Sequence, residues 1–287
     1  MTDPVYSVDG ALVPASEARV RVDDRGFQYG DGAFETLRAY GGTPFEWSAH
    51  RERLARTCSR LGMPDAVPDD AHERVKATLA ANDFDDAYLK ICVTRGVQPG
   101  TLSPAPDVDP TVVVYAKPLP RGGVGSDPVW DEPARLRTVE TRRPPDDVLP
   151  ADGKTHNYLT AVLARVELRG TDADEALLRD ASGAVACAAT SNVFAVADGR
   201  LHTPSLDGPV LPGVTRSVVV DLAGEAGYPV TEGTYTPLDV READEAFLTN
   251  STWEVRPVAH VDGTAVGGGP VTRALADRLD ERVEALY

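Results

Sequence analysis

The sequence predicts a mixed protein of the α/β class built as two domains, a smaller α+β domain followed by a larger, strand-rich α/β domain. Three observations carry this expectation. The chain has 287 residues, more than a single core of ordinary size organises. Runs that alternate with period two are interleaved with runs of helical period. One stretch, PLPRGGVGSDP at 118–128, is rich in Pro and Gly and has no apolar period. The expected division is therefore a domain over 1–117, a linker over 118–128 and a domain over 129–287.

The elements follow in order. VYSV and ALVP flank Asp9-Gly10, a pair suited to a two-residue hairpin turn. AFETLRAY reads as a strand closed by Gly41-Gly42, and Leu54, Cys58 and Leu61 set a helix from Ser48 as N-cap to Gly62 as stop. A second helix covers about Asp70 to Ala81, and AYLKICVT and TVVVYAK alternate as strands. Beyond the linker, ARLRTVE is a strand and a Pro-rich loop follows. Lys154 is then placed at a strand-to-helix junction, before a helix whose Tyr158, Val162, Leu163 and Val166 repeat at the spacing of a core-facing stripe. EALLRD and AVACAA read as short strands, NVFAVADGRLHTP as a hairpin around Asp198-Gly199, and Val214–Ala226 and Val271–Leu286 as helices.

Composition removes several classes of function. A net charge of −16 repels phosphate backbones and anionic lipid, so neither a nucleic-acid nor a membrane partner is expected. No apolar run has the length of a membrane span, and MTDPVYSVDG has no basic segment followed by an apolar one, so a cytoplasmic location is expected. The acidic excess, with bases that are nearly all Arg, fits a halophilic source. Cys58, Cys92 and Cys187 lie too far apart in sequence for a redox pair or zinc site, and the five histidines have no metal-ligand spacing. There is no GxSxG elbow and no GxGxxG fingerprint after a strand, and GGGP at 267–270 lacks the ending of a P-loop and is expected to be a turn.

Chemistry that needs a lysine amine has four candidates, Lys76, Lys90, Lys117 and Lys154. Lys154 stands out by its setting in GKTHNYLT. A series of motifs then runs nearly end to end: DDRGFQYGDGAFETLRAY (23–40), HRERL (50–54), KTHNYLTAVLARVE (154–167), DADEALLRDASGAV (172–185), TSNVF (190–194), VLPGVTR (210–216) and FLTNSTWEVRPV (247–258). In these the chain resembles the class IV aminotransferase family, which includes branched-chain and D-amino-acid aminotransferases and 4-amino-4-deoxychorismate lyases. The resemblance implies a two-domain, fold-type IV enzyme dependent on pyridoxal 5'-phosphate, commonly a homodimer, acting on a small-molecule amino donor and a keto acid.

Carried over motif by motif, the resemblance implies that Lys154 forms the Schiff base with the cofactor and serves as acid and base. It assigns Tyr158 to the cofactor's phenolic oxygen. Arg53, Val214, Thr215 and Ser251 are assigned to the phosphate, and Asn192 lies in a cofactor-binding motif. A helix N-terminus offers free N–H groups to such a dianion. Tyr29 and Phe34 match lining of the substrate pocket, and Lys90 falls where branched-chain members carry an arginine for the substrate carboxylate. The departure is Cys187, which occupies the position of the glutamate that pairs with the pyridine nitrogen. A thiol offers only a weak hydrogen bond there. The expected activity is transamination; the alternatives are release of pyruvate and 4-aminobenzoate from aminodeoxychorismate, and a cofactor-holding protein with weak turnover.

Overall fold

The computed structural model describes residues 3–120, 130 and 132–287. The chain divides into two compact units, the first formed by Met1–Arg121, Gly153–Asn157 and Leu286–Tyr287 and the second by Gly122–Asp152 and Tyr158–Ala285. The expected linker 118–128 falls largely outside the described residues, and its first residue, Pro118, ends a strand.

In the first unit the elements are β1 (Val5–Val8), β2 (Ala11–Pro14), α1 (Arg25–Tyr29), β3 (Gly32–Tyr40), β4 (Thr43–Pro44), α2 (Trp47–Arg60), α3 (Ala71–Asn82), β5 (Ala87–Thr94) and β6 (Val112–Pro118). They form an antiparallel sheet in the order β2-β1-β6-β5-β3-β4. Asp9 and Gly10 both take positive φ, 50° and 87°, the left-handed pair that lets a two-residue turn follow the twist of its strands. One sheet face presents Ala33, Leu37 and Ala39 of β3 and Leu89, Ile91 and Val93 of β5 to Leu54 and Cys58 of α2 and Val75 and Leu79 of α3. That shared core fixes the face of α2 that carries polar groups. The helix begins at Trp47, one residue before the expected N-cap Ser48, because Glu46 turns the chain at φ 51°.

The second unit contains β7 (Ala134–Arg142), α4 (Leu159–Val166), β8 (Glu175–Arg179), β9 (Val185–Ala188), β10 (Asn192–Ala197), β11 (Arg200–Pro204), α5 (Val214–Glu225), β12 (Val230–Gly233), α6 (Pro237–Arg241), β13 (Glu245–Asn250), β14 (Glu254–Val261), β15 (Thr264–Ala265) and α7 (Pro270–Glu284). Its sheet is mixed, in the order β12-β11-β10-β13-β14-β7-β8-β9 with β15 on β14. Alternation gives the sheet two different faces. Asn192 and Phe194 of β10 lie opposite Thr249 and Phe247 of β13, and this face, with the two phenyl rings stacked at 4.8 Å, meets the starts of α5 and α7. The opposite face carries Val193, Ala246 and Leu248 into a core with Val258 and with Val240 of α6.

Two expectations around Lys154 need correction. Placed by linear order in 129–287, it belongs to the first unit, because Gly153–Asn157 runs beside β3: Thr155 bridges Ala33, the Phe34 amide donates to the Lys154 carbonyl at 2.9 Å, and the His156 amide donates to the Gly32 carbonyl at 2.9 Å. Nor is Lys154 followed at once by a helix, since α4 starts at Leu159. The apolar stripe of α4 is exposed rather than packed, with Leu159 at 67%, Val162 at 54%, Leu163 at 48% and Val166 at 39%. Small Ala164 and nearby Leu168 face the core instead, against Ala176 and Leu178. Periodicity located this stripe but could not say which face the unit would cover. The elements β12, α6 and β15, too short for a periodic signal, were not anticipated.

Candidate active site

In the first unit, helix α2 sets the site. His50, Arg53 and Thr57 recur at helical spacing on its buried face. Glu35, in phase with the buried Ala33, Leu37 and Ala39 of β3, meets them there. Arg53 grips Glu35 side-on, Nε to Oε1 and Nη2 to Oε2, both at 2.7 Å, and His50 Nδ1 lies 2.8 Å from Oε2. The carboxylate only accepts, so His50 is the donor in that bond. Burial alone would raise the Glu35 pKa, but the Arg53 charge and its hydrogen bonds hold it down at about 2. Burial pushes the His50 pKa down.

One turn further along α2, the Thr57 hydroxyl donates to the Arg53 carbonyl at 2.8 Å and accepts the Lys154 amide at 3.1 Å. The backbone of Lys154 is thus fixed on one side by α2 and on the other by β3. Its Nζ lies 4.8 Å from the centre of the Phe34 ring, and Lys90 Nζ lies 4.3 Å from the same ring. His156 stands 5.7 Å from that ring. Its buried Nε2 has no partner among the described residues, and burial followed by the Lys90 charge lowers its pKa to about 4. Tyr29, at the end of α1, is half-exposed with Arg25 over its ring, and Asn157 Nδ2 reaches the adjacent Gly30 carbonyl at 3.2 Å. The first unit therefore gathers Arg53, Phe34, Lys90 and Lys154. Glu35, His50, Thr57 and His156 join them without having been anticipated. Glu35 was detectable, as a carboxylate in phase with the apolar residues of its strand.

In the second unit, the sheet face of Asn192 and Thr249 meets two helix N-termini. At α7 the buried Glu245 carboxylate accepts the amides of Val271 at 3.0 Å and Thr272 at 2.7 Å, so a protein anion fills it, and GGGP is its approach. A side chain on Gly269 would collide with Glu245 at 2.2 Å. At α5 the N-cap is Gly213, which has no side chain to cap the first turn. Gly213 lies so close to Asn192 Oδ1 that a Cβ there would stand 2.0 Å away, and Asn192 Nδ2 donates to the Leu211 carbonyl at 3.0 Å. Val214 and Thr215 follow and are both buried. Thr249, opposite Asn192, and Ser191 each hold a buried hydroxyl without a partner among the described residues. Buried hydroxyls seek partners, and an open helix N-terminus favours an anion. These groups fit a phosphate. Ser251 lies in the turn that follows, where Asn250 Oδ1 accepts the Thr252 and Trp253 amides.

Cys187 is buried on β9 opposite Leu178, and its thiol pKa is raised by burial against the opposing pull of Arg143. The acid beside it is Glu175. That carboxylate accepts from the Ala176 amide at 2.9 Å, the Ala189 amide at 3.1 Å, the Thr190 hydroxyl at 2.9 Å and Arg165 at 3.1 Å. With four donors on two oxygens, Glu175 is committed to tying β8 to the turn after β9. Tyr158 is the half-buried N-cap residue of α4.

A lysine fixed at its backbone in one unit and an open anion-accepting helix terminus in the other are parts of an enzyme of the lysine-dependent, phosphate-binding kind. The chain belongs to the class IV amino-transferase family, whose model matches residues 32–261, and as an aminotransferase of that family it uses pyridoxal 5'-phosphate. It is 36% identical over 96% of its length, and 94% of the relative's, to a putative branched-chain-amino-acid aminotransferase of Methanocaldococcus jannaschii. It is 32% identical over 96% of its length, and 95% of the relative's, to a D-alanine aminotransferase of Listeria monocytogenes. Among solved structures, the branched-chain aminotransferase of the thermophilic archaeon Thermoproteus uzoniensis with norvaline matches with a TM-score of 0.89 at 31% identity, covering 99% of this chain and 95% of that one.

The first unit can be probed at two points. Glu35→Gln leaves the buried Arg53 charge without its counter-charge and is expected to cost about 3–5 kcal/mol in urea unfolding; a loss below about 1 kcal/mol would show that the pair does not organise α2. Acid should weaken the fold through His156. The unfolded imidazole takes its proton near pH 6.5 while the folded one stays neutral down to about 4. The unfolded state therefore binds more protons in that window, and stability falls as pH falls through it. Unfolding free energies measured from pH 7 to 4 should decline, with a shallower slope in His156→Gln. An unchanged slope in that variant would refute the assignment.

Proposed function

We propose that Lys154 holds pyridoxal 5'-phosphate as a Schiff base in an enzyme that moves an amino group between an amino acid and a 2-keto acid. One observation carries the assignment: Lys76, Lys90 and Lys117 are spent within a helix and two strands, whereas Lys154, the lysine of the KTHNYLT motif, lies outside both kinds of element with its amide bound by the Thr57 hydroxyl, its carbonyl by the Phe34 amide and its amine beside the Phe34 ring. When bound, the cofactor supplies an aldehyde that exchanges the amino group and a ring that takes up the electrons left on the substrate.

The protein's own groups do the rest. With the cofactor bound, Lys154 Nζ would take the proton from the donor's α-carbon as a base and give it up again as an acid. Lys90, against the same Phe34 ring, receives the substrate carboxylate, and Tyr29 and Phe34 line the substrate side. The amides of Val214 and Thr215 at the start of α5, supported by Asn192, would donate to the phosphate, with Ser251 and the cation Arg53 assigned to the same group by resemblance. Tyr158 would donate to the cofactor's phenolic oxygen. Cys187, whose thiol pKa burial raises, would face the pyridine nitrogen, and Glu175, already bonded four times, would not substitute for a charged partner.

The surface of α4 supports a homodimer. Leu159, Val162, Leu163 and Val166 recur at i, i+3, i+4 and i+7 and are all exposed, a continuous apolar stripe that a monomer leaves in water.

Titrating the purified enzyme with L- and then D-amino acids, while recording the visible spectrum, tests the reaction. Conversion of the cofactor band to the amine form by one series, absent in Lys154→Ala, is the expected result. A band that persists with every donor, together with pyruvate release from aminodeoxychorismate, would replace transamination with the lyase reaction. For the assembly, light scattering should give a dimer, and Val162→Asp with Leu163→Asp should shift it to monomer; a dimer unaffected by both charges would remove α4 from the interface.

A further inference from the structure

A cavity of about 280 Å³ opens on the second unit's sheet, on the face opposite to that of Asn192 and Phe194. It lies at the lower end of the range for small-molecule sites. Its floor is Val193, Ala195 and Ala197 of β10, alternate residues sharing one face, and Val240 of α6 forms a wall. Alanine at 195 and 197 makes the space, since larger side chains there would fill it.

The polar lining is His202, Tyr235, Asp239 and Glu242, and among the described residues no Arg or Lys lines the cavity. A tyrosine hydroxyl has one proton, and that of Tyr235 goes to the Thr231 carbonyl at 3.0 Å. His202 Nδ1, 3.1 Å from the same oxygen, must then donate to it. Burial and the nearby Asp239 and Glu232 charges raise the Tyr235 pKa, which keeps its hydroxyl protonated. Asp239 Oδ2 accepts both the Thr236 amide at 2.6 Å, one bond of the capping box, and the Thr236 hydroxyl at 2.8 Å, which leaves Oδ1 as a further acceptor. Glu242 adds a second carboxylate. The wall is therefore apolar, and its two charged groups, Asp239 and Glu242, are both acids.

From this complementarity we propose that the cavity binds a small alkyl- or aralkylammonium compound, its hydrocarbon on Val193, Ala195 and Val240 and its cationic nitrogen toward Asp239 and Glu242. A carboxylate of the same shape would meet like charge, which rejects it. An amino acid would carry that penalty on its own carboxylate, so the site selects amines over amino acids. The site is separate from the lysine chemistry and does not depend on it.

The test uses N,N-dimethyl-3-methylbutylamine, a tertiary amine that cannot condense with an aldehyde, titrated calorimetrically into the holoenzyme beside its anionic counterpart 3-methylbutanoate. Saturable one-to-one binding of the amine, at least about tenfold tighter than the acid, is expected. Glu242→Lys, an exposed change that spares the fold, should abolish amine binding, and Ala195→Leu, checked by circular dichroism for an intact fold, should abolish it by filling the space. The proposal is overturned if the amine does not bind saturably, if the acid binds as well, or if binding survives either substitution in a folded variant.

Discussion

The buried pairing of Glu35 with Arg53 is the constraint on which the first unit's site depends. A guanidinium cannot lose its charge and a carboxylate buried this deeply cannot stay ionised alone, so each requires the other. Because Arg53 uses Nε and Nη2 on one carboxylate, its plane is set by two bonds rather than one. That plane fixes the roll of α2 about its axis, and the roll decides where Thr57 stands. Thr57 in turn holds the Lys154 amide. A strand carboxylate thereby determines, through one helix face, the origin from which the lysine side chain extends.

The second unit solves a different electrostatic problem twice on one sheet face. Both α5 and α7 direct unpaired N–H groups at it. Glu245 satisfies α7 from within the protein, using a carboxylate that also takes the Thr272 hydroxyl. Among the described residues no carboxylate plays that part at α5, where Gly213 brings the chain against Asn192 and the hydroxyl of Thr249, opposite Asn192, remains unpartnered. The contrast is between a helix end whose amides a carboxylate of the protein accepts, after the glycine-rich stretch 267–270, and one whose N-cap glycine offers no such group.

Cys187 shows how little a motif says about its own compensation. A neutral thiol replaces a charge that the family's motif would place there, and the obvious acid nearby is fully engaged in holding β8, the turn after β9 and Arg165 of α4 together.

Much of the fold was legible in the chain because it rests on local rules. Asp9-Gly10 specified its turn, alternation specified β5 and β6, and helical spacing specified α2, α3, α5 and α7. Lys154, Arg53 and the open start of α5 could be located from motifs, since the residue types needed for amine chemistry and phosphate binding are few. Other features depend on partners distant in sequence, and no local pattern encodes those. Periodicity found the apolar stripe of α4 but not that it faces solvent, which depends on which surface the rest of the chain covers. The attachment of Gly153–Asn157 to β3, the bonding of Glu35 to a residue 18 positions away and the exhaustion of Glu175 by four donors arise only when strands and helices pack, because burial and hydrogen-bond satisfaction are properties of the assembled neighbourhood rather than of the chain.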